Sequence, residues 1–417
     1  VCNNSWGPTV PPSTLDFHDR HCDYLVRNYL DTFTTVSGNH SSYVSWMSYN
    51  DITVGGVDAQ NTEDWDDDAM STFTGYIDPT GTDRELPNVA GDANSIESTL
   101  EGGSPWIGSF GSASGTSYST PAVGAQCVNM IMRNSTLNTW PEIVKAIVMA
   151  TALNNVEGAS RLSDYDGAGM VDALAADKMA NGLTNGGRQW AGITVNSGSF
   201  PYEHTFNVEE GELVRVVICW DSNPSGPPDY TTDPLEADLD LYVLDSSGSS
   251  VGSSTSTDGS YEIVEVTATE SANWTMRVTA PTFNGTTEYM GFCYWTGNLR
   301  TDSYEQIYRI YPPESYDNFV FPSTTYWQAF AAKNSDETEN ISVRLYDNSR
   351  FDNPADVNLL ETSNYSSGEV DFVLIDRNHA PSGNYYSAVA PSSGSDNYRA
   401  LHAGWTANVV EGTYGPY

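Results

Sequence analysis

Hydrophobic and polar residues follow two different patterns along this chain of 417 residues. Helical patterns occur in the first part, where a small-residue apolar run, 122–132, follows a glycine turn and a proline. Beyond about residue 186, short apolar runs alternate with polar residues and are separated by Gly, Ser, Asp and Asn. The pattern predicts a helix-containing first region followed by β-rich regions.

The second region, 187–300, contains regularly spaced strand patterns with a turn sequence at 245–248. Short strands at this spacing are typical of a β-sandwich. The predicted strands are Leu213–Trp220, Asp238–Leu244, Glu262–Thr267 and Trp274–Thr279.

The third region, 301–417, again contains short strand patterns separated by turn residues. Residues 342–347 are similar to 240–245, which favours a diverged second sandwich. Its aromatic residues either form a carbohydrate or protein contact face or are core and cross-strand pairs. The predicted strands are Trp327–Ala332, Ile341–Asp347, Val370–Asp376 and Gly383–Val389.

The composition is strongly acidic, because 17 basic and 55 acidic side chains give a net charge of −38. This charge argues against nucleic acid and anionic membranes as partners. No apolar run is long enough to span a membrane. Scarce lysine and abundant Ser, Thr, Asn, Gly and Tyr favour an extracellular or cell-surface protein.

Glycosylation sequons begin at Asn3, Asn134, Asn273, Asn284, Asn340 and Asn364. A further sequon begins at Asn39, where a glycan would block the candidate site.

Five cysteines leave at least one thiol outside any intramolecular disulfide. Cys127 lies in the small-residue apolar run and is expected to be a buried thiol. Cys219 and Cys293 flank one β-rich segment and could pair, as could Cys2 with Cys22. The sequence does not decide the connectivity, and the spacing does not fit a zinc site.

Ser117 lies where a helix is predicted to begin, after Gly115 and before Pro121. A serine at that position is close to unpaired backbone N–H groups and to the positive end of the helix dipole. Such a position suits a nucleophile whose attack creates a negative oxygen. An ordinary helix cap is the alternative interpretation.

The surrounding sequence resembles the subtilisin-like serine peptidases, in six blocks in the family's order. Ser114–Pro121 is similar to the nucleophile motif, and the earlier blocks are similar to a cleft-lining strand, a Gly-Asn turn and a buried strand. The later blocks are similar to the helix after the nucleophile helix and to a closing turn. The other five blocks are Val1–Gly7, Thr35–Asn39, Asp51–Asp58, Pro141–Ala152 and Asp166–Ala173.

The resemblance implies an α/β fold for 1–186, with a mostly parallel sheet flanked by helices, of which the N-terminal half is missing from this chain. For 187–300 it implies the jelly-roll domain that follows the catalytic domain in some secreted members. A second sandwich is expected at 301–417 from the repeat described above.

The resemblance also implies acyl transfer on a polypeptide substrate. Ser117 would attack the peptide carbonyl, and the Asn39 side chain would hold the oxyanion together with the Ser117 N–H. Ser5, Trp6 and Gly7 would bind an extended substrate as an added strand, with Gly38 preceding the oxyanion asparagine.

The family also needs an aspartate and a histidine, whose motifs are absent from this sequence. His18 and His21 are expected to be solvated residues at a helix start, and His40 a loop residue. We therefore expect an N-terminal fragment of the same precursor to supply both catalytic groups and to stay bound, since half a parallel sheet is unstable alone.

Calcium is the expected cofactor, because acidic side chains are abundant. Strand geometry puts Asp238 and Asp240 on one face, with Asp221 as a further ligand candidate. Plain surface aspartates are the alternative interpretation.

Two function classes follow from these observations. The first is a secreted serine endopeptidase. The alternative is a catalytically silent extracellular protein of structural or adhesive function that self-assembles through its sandwiches. The presence of both Ser117 and Asn39 favours the enzyme, because a scaffold needs neither.

Overall fold

The computed structural model of the protein describes most of the chain up to residue 297 and mainly strands beyond it. Side chains are described in a subset of those later strands. The described residues are 1–7, 14–60, 67–76, 84–100, 109–156, 162, 165–182, 189–297, 307–309, 315–321, 327–334, 341–346, 359–364, 370–376, 383–391 and 397–405.

The described part is mostly β-sheet with few helices. The helices are α1 (Phe17–Tyr29), α2 (Thr116–Arg133), α3 (Pro141–Thr151) and α4 (Ala173–Asn181). The strands are β1 (Cys2–Asn4), β2 (Phe33–Val36), β3 (Ile52–Asp58), β4 (Ala69–Met70), β5 (Val89–Asp92), β6 (Ile96–Leu100), β7 (Ser109–Ala113), β8 (Trp190–Val195), β9 (Tyr202–Val208), β10 (Leu213–Trp220), β11 (Ala237–Leu244), β12 (Ser250–Ser254), β13 (Tyr261–Thr267), β14 (Ala272–Phe283), β15 (Glu288–Gly297), β16 (Ile307–Arg309), β17 (Ser315–Phe321), β18 (Trp327–Asn334), β19 (Ile341–Tyr346), β20 (Leu359–Ser363), β21 (Val370–Asp376), β22 (Gly383–Pro391) and β23 (Asn397–Trp405).

The chain divides into two compact units. The first comprises Val1–Ile96 and Ala113–Asp302, and the second comprises Glu97–Ser112 and Ser303–Tyr417. Most of the predicted first region therefore lies in one unit with the predicted second region. The internal segment Glu97–Ser112 is grouped with the predicted third region. The boundary expected near residue 186 stays a prediction.

A small sheet begins the first unit. Strands β1, β2, β3 and β5 pair in parallel in that order, and β4 pairs antiparallel with β3. Strands β2, β3 and β5 are almost wholly buried, which explains why their sequences lack a clean polar alternation. Helix α2 packs on this sheet through Val123 and Met130, and Val54 lies in the same core. The α/β class expected for the first 186 residues is not established by this small sheet and stays a prediction.

Two four-stranded antiparallel sheets follow in the same unit, in the orders β13-β10-β15-β8 and β12-β11-β14-β9. Their inward side chains share one core, which includes Trp220 from the first sheet and Trp274 from the second. The four strands predicted for this region all form, within a few residues of the predicted bounds. The two sheets face each other as a sandwich, and we call this pair the first sandwich.

Helix α3 joins the first sandwich to the small parallel sheet. All of its residues are buried, and Val144 and Ile147 belong to a core that also contains Cys219 and Trp295 from the first sandwich. Arg215 of β10 donates hydrogen bonds to the carbonyls of Met149 (3.1 Å) and Ala152 (2.5 Å) at the end of this helix. This shared core explains why the first unit contains both regions.

The second unit also contains two four-stranded antiparallel sheets, in the orders β16-β23-β18-β21 and β17-β22-β19-β20. The four strands predicted for this region form. Phe330, Val343 and Ile375 lie in its core. Across the described residues of both units, no helix has the length and apolarity that crossing a membrane requires.

Candidate active site

Ser117 is the second residue of α2, and the backbone before the helix is fixed by Gly115. Gly115 has φ +154°, and a Cβ there would lie 3.0 Å from Nδ2 of Asn39. A residue with a side chain would therefore both strain the backbone and push the asparagine away. The glycine before the predicted nucleophile is required by the packing at the start of this helix.

The Asn39 side chain lies against the same helix start. Its Oδ1 accepts hydrogen bonds from the backbone N–H of Thr116 (2.9 Å) and from the Thr116 hydroxyl (3.0 Å). These bonds satisfy one of the unpaired donors of the helix start. They also occupy Oδ1, so that Nδ2 is the amide atom that remains able to donate a hydrogen bond. Gly38, with φ +99°, makes the turn that brings Asn39 from the end of β2 to this position.

The Ser117 hydroxyl donates a hydrogen bond to the backbone carbonyl of Ser5, 3.0 Å away. Ser117 is half-buried, at the junction of α2 and the segment that follows β1. A hydroxyl that donates to a carbonyl keeps its proton and is not an activated nucleophile. Activation needs a base that replaces Ser5 as the acceptor.

Of the predicted substrate-binding residues, Ser5 contacts Ser117, while Gly7 and Gly38 share a contact with Ser45. Gly7 and Gly38 both pack closely on Ser45, since a Cβ on Gly7 would lie 2.5 Å from the Ser45 Cβ. The Trp6 carbonyl accepts a hydrogen bond from Nε1 of Trp46 at 2.7 Å. The carbonyls of Ser5 and Trp6 thus accept hydrogen bonds from Ser117 and Trp46, and substrate binding by Ser5, Trp6, Gly7 and Gly38 stays a prediction.

The three histidines that precede Ser117 in the sequence contact other residues. His18 is within 3.6 Å of the Asp16 carboxylate, and its ring centroid lies 5.7 Å from that of Trp6. Burial and the nearby His18 lower the pKa of His21. His40 stacks on Tyr43, with centroids 4.4 Å apart. In the described residues no histidine hydrogen-bonds to Ser117, and the source of the catalytic histidine stays a prediction.

The three carboxylates predicted to bind calcium do not form one donor set. Asp240 accepts hydrogen bonds from the hydroxyls of Tyr242 (3.2 Å) and Thr279 (3.4 Å), and a β-bulge separates it from Asp238. Asp221 lies in a separate buried acidic cluster. Among the described residues, no three His, Cys, Asp or Glu side chains are grouped to hold a metal ion. Calcium binding stays a prediction, and no chemical step below depends on it.

The sequence did not reveal the acidic cluster around Asp221. Glu142 in the first turn of α3 faces Asp221, and both side chains are buried. Burial and the Asp221 charge raise the pKa of Glu142, and burial raises the pKa of Asp221 to about 6. Two carboxylates have no proton to offer each other, so this pair forms a hydrogen bond only when one of them is protonated.

A buried ion pair lies beside these two acids. Nη1 of Arg27 is 2.6 Å from Oε1 of Glu288, and that carboxyl is 1% exposed. Burial raises the pKa of Glu288 to about 7, although Arg27 acts in the opposite direction. No sequence pattern marks this cluster, because its members come from α1, α3 and two segments of the first sandwich.

Cys219 and Cys293, whose pairing the sequence left open, form no disulfide, and all five cysteines are free thiols. In the antiparallel pair of β10 and β15, Cys219 lies opposite Gly291 and Cys293 lies opposite Val217. The two cysteines are therefore diagonal neighbours, about 7–8 Å apart, which is too far for a disulfide. Burial raises the pKa of Cys127 and of Cys219 to about 12, so both thiols are inert. Cys2 and Cys22 pack together as thiols.

Residues 204–280 match the family model of the bacterial pre-peptidase C-terminal domain. This segment runs from within β9 into β14. No curated protein matches the chain.

Several solved protease structures show a low likeness. The patellamide maturation protease PatA is 17% identical, with a TM-score of 0.35 over 43% of this chain and 62% of PatA. The prenylagaramide maturation protease PagA is 16% identical, with a TM-score of 0.34 over 42% of this chain and 60% of PagA. Tripeptidyl peptidase 2 is 12% identical, with a TM-score of 0.33 over 96% of this chain and 34% of that protein. The chain spans less than two thirds of each of these proteins, and every TM-score is under 0.5.

Proposed function

We propose that this chain is part of a secreted, subtilisin-like serine endopeptidase that hydrolyses peptide bonds through an acyl-enzyme. Ser117 is the nucleophile, and Asn39 donates to the oxyanion. A polypeptide is the substrate, held as an added strand along Ser5 and Gly7. The pre-peptidase domain match at 204–280 agrees with a peptidase context.

The observation that carries this proposal is the pair of hydrogen bonds that Thr116 donates to Oδ1 of Asn39. These bonds occupy Oδ1 of Asn39, so Nδ2 is the atom of Asn39 that can donate to a substrate oxygen. When Ser117 Oγ attacks a carbonyl carbon, the carbonyl oxygen becomes negative. Nδ2 and the N–H at the helix start can then stabilise that charge without rearrangement.

The proposed mechanism needs a base beside Ser117, where the described residues place the Ser5 carbonyl as the acceptor. Ser117 must transfer its proton to an imidazole as it attacks, and the same imidazole must later protonate the leaving amine. We propose that the imidazole and its aspartate come from another segment of the precursor. That segment would displace the hydrogen bond from Ser117 to the Ser5 carbonyl.

The test is labelling by a fluorophosphonate of the protein isolated with any chain that accompanies it. We expect one label per molecule, on Ser117, and no label on a Ser117→Ala variant. Ser119→Ala is the matched control, because Ser119 lies in the same helical turn but is buried and donates to the Thr116 carbonyl at 3.1 Å. An unmodified Ser117, together with concentration-dependent self-association, would instead support the scaffold alternative.

A further inference from the structure

A row of six aromatic rings begins at the candidate cleft and follows the outer face of α1. Successive ring centroids are 5.7, 5.5, 5.2, 5.3 and 6.2 Å apart. Most of these rings belong to α1, whereas one belongs to a loop of the first sandwich. We call this row the aromatic ridge, and its residues are, in order, Trp6, His18, Phe17, Tyr230, Tyr24 and Tyr29.

The ridge exposes large apolar side chains to water. Trp6 is 55% exposed, Phe17 44% and Tyr29 66%. Singly exposed aromatic residues need no explanation, but a continuous row of them is costly in water and marks an interaction surface. Tyrosine and tryptophan are also the side chains that most often anchor a bound polypeptide.

Contacts within the protein hold Trp6, at one end of the ridge, and Tyr230, in its middle, in place. The Trp6 ring packs edge-on against the Trp46 ring, with centroids 5.1 Å apart. The backbone carbonyl of Trp6 also accepts a hydrogen bond from Nε1 of Trp46. The Tyr230 carbonyl accepts a hydrogen bond from Nε of Arg20. Tyr230 also has φ +40°, a conformation that costs a tyrosine energy and that the surrounding contacts maintain. Trp6 and Tyr230 are thus held by these contacts.

The ring geometry indicates the kind of occupant. Trp6 and His18 meet at 90°, Phe17 and His18 at 88°, and Phe17 and Tyr230 at 83°. Such edge-to-face contacts leave notches between the rings and not the flat platform on which a sugar ring stacks. Notches of this kind suit protruding apolar side chains. The net charge of −38 disfavours nucleic acid bases.

The position of the ridge identifies the polypeptide. Trp6 directly follows Ser5, whose carbonyl contacts the Ser117 hydroxyl. The helical part from Phe17 to Tyr29 is roughly 18 Å long at 1.5 Å per residue, which equals about five residues of extended chain. A substrate strand that passes Ser5 and Gly7 can therefore continue along α1.

We propose that the aromatic ridge is an extension of the substrate-binding cleft. It binds the apolar and aromatic side chains of about five residues of an unfolded polypeptide beyond those at the scissile bond. Tyr230 makes the first sandwich a part of this surface. This inference rests on the proposed endopeptidase function and specifies its substrate class.

The test uses the full protein with Ser117→Ala, so that bound peptides are not cleaved. Fluorescence anisotropy is measured with a six-residue peptide, a 14-residue peptide with Phe or Leu at alternate positions, and a 14-residue peptide with Ser at those positions. We expect the apolar long peptide to bind at least tenfold more tightly than the other two. Phe17→Ser or Tyr29→Ser should remove most of that gain and leave the short peptide unaffected.

Met132→Ser is the matched control, because Met132 on α2 is 77% exposed and lies outside the ridge. It should leave all three affinities unchanged. Tyr29→Ser keeps the test valid if Phe17→Ser fails to fold, since the only ring that Tyr29 contacts in the described residues is Tyr24.

Equal affinities for the three peptides, or a gain that the ridge variants retain, would overturn the ridge proposal. Binding of a soluble hexasaccharide that the ridge variants lose would overturn it in favour of a sugar site. If Ser117 is labelled but affinity does not depend on peptide length, only the ridge proposal fails. If length dependence persists without any labelling of Ser117, the peptidase proposal fails and the bound polypeptide is not a substrate.

Discussion

The start of α2 and the buried junction between α3 and the first sandwich differ in charge. The first consists of neutral groups, whereas the second contains buried ionisable side chains. At the start of α2, the half-buried Ser117 hydroxyl donates to the Ser5 carbonyl and Asn39 accepts from the Thr116 N–H, and all of these groups are neutral. At the junction, Glu142, Asp221 and Glu288 are buried together with Arg27. Under the proposed mechanism, the start of α2 receives a negative charge during the reaction, whereas the junction holds buried ionisable side chains in the resting fold. We therefore expect variants of the two regions to separate activity from stability.

Arg215→Met should give the largest loss of stability. Arg215 is 1% exposed and donates to the carbonyls of Met149, Ala152 and Ala168, while pairing with Glu265 at 2.7 Å. Its removal breaks the hydrogen bonds to the helix-end carbonyls and the ion pair with Glu265, which costs about 3–5 kcal/mol of unfolding free energy.

Urea unfolding measures this effect, with Arg277→Met as the control. Arg277 pairs with Glu203 at 2.7 Å on the surface, where both side chains are well exposed, so its loss should cost about 0–1 kcal/mol. Similar losses for the two variants would show that the buried junction is no more important than a surface pair.

The pH dependence of stability should report the acidic junction. Asp221 and Glu288 have pKa values raised to about 6 and about 7, so the folded protein binds these protons more tightly than the unfolded chain. Their stabilising contribution is complete below about pH 4 and is lost as the pH rises through 6 and 7. For the Asp221 carboxyl this loss is about 3 kcal/mol between pH 4 and pH 8.

A Glu142→Gln variant should flatten this dependence and be more stable than the wild type at pH 8. The amide of the new side chain donates to Asp221 at any pH and replaces the shared proton. Glu203→Gln removes the same charge from an exposed site and should leave the pH profile unchanged. A Glu142→Gln profile as steep as the wild type would mean that this pair does not share a proton.

Gly115→Ala should have a smaller effect on stability and a distinct effect on the site. A methyl group there would lie 3.0 Å from Nδ2 of Asn39 in a backbone that favours glycine. We expect a loss of about 1–2 kcal/mol and roughly tenfold slower fluorophosphonate labelling. Gly248→Ala is the control, because Gly248 also has a positive φ but has nothing within 4 Å of its added Cβ. If both variants label at the wild-type rate, Asn39 does not depend on Gly115 for its position.

Local patterns predicted the strands and the start of α2, because period-two alternation and a glycine before a small-residue run are properties of short segments. The adjacency of Asn39 and Ser117 was expected only from the family resemblance, since no periodicity links residues that distant in the chain. The acidic junction, the Arg215 contacts and the contribution of Tyr230 depend on how α1 and α3 pack against the first sandwich. The diagonal register that separates Cys219 from Cys293 likewise appears only once β10 and β15 are paired.

The central claim is that Asn39 donates to the oxyanion formed when Ser117 attacks. The most direct measurement is the turnover number of Asn39→Ala against that of the wild type, on a protein that carries its full catalytic set. We predict a fall of about 10²–10³ with little change in KM, because the missing donor acts on the transition state and not on the bound substrate. A turnover number within threefold of the wild type, in a protein that Ser117→Ala inactivates, would contradict the claim.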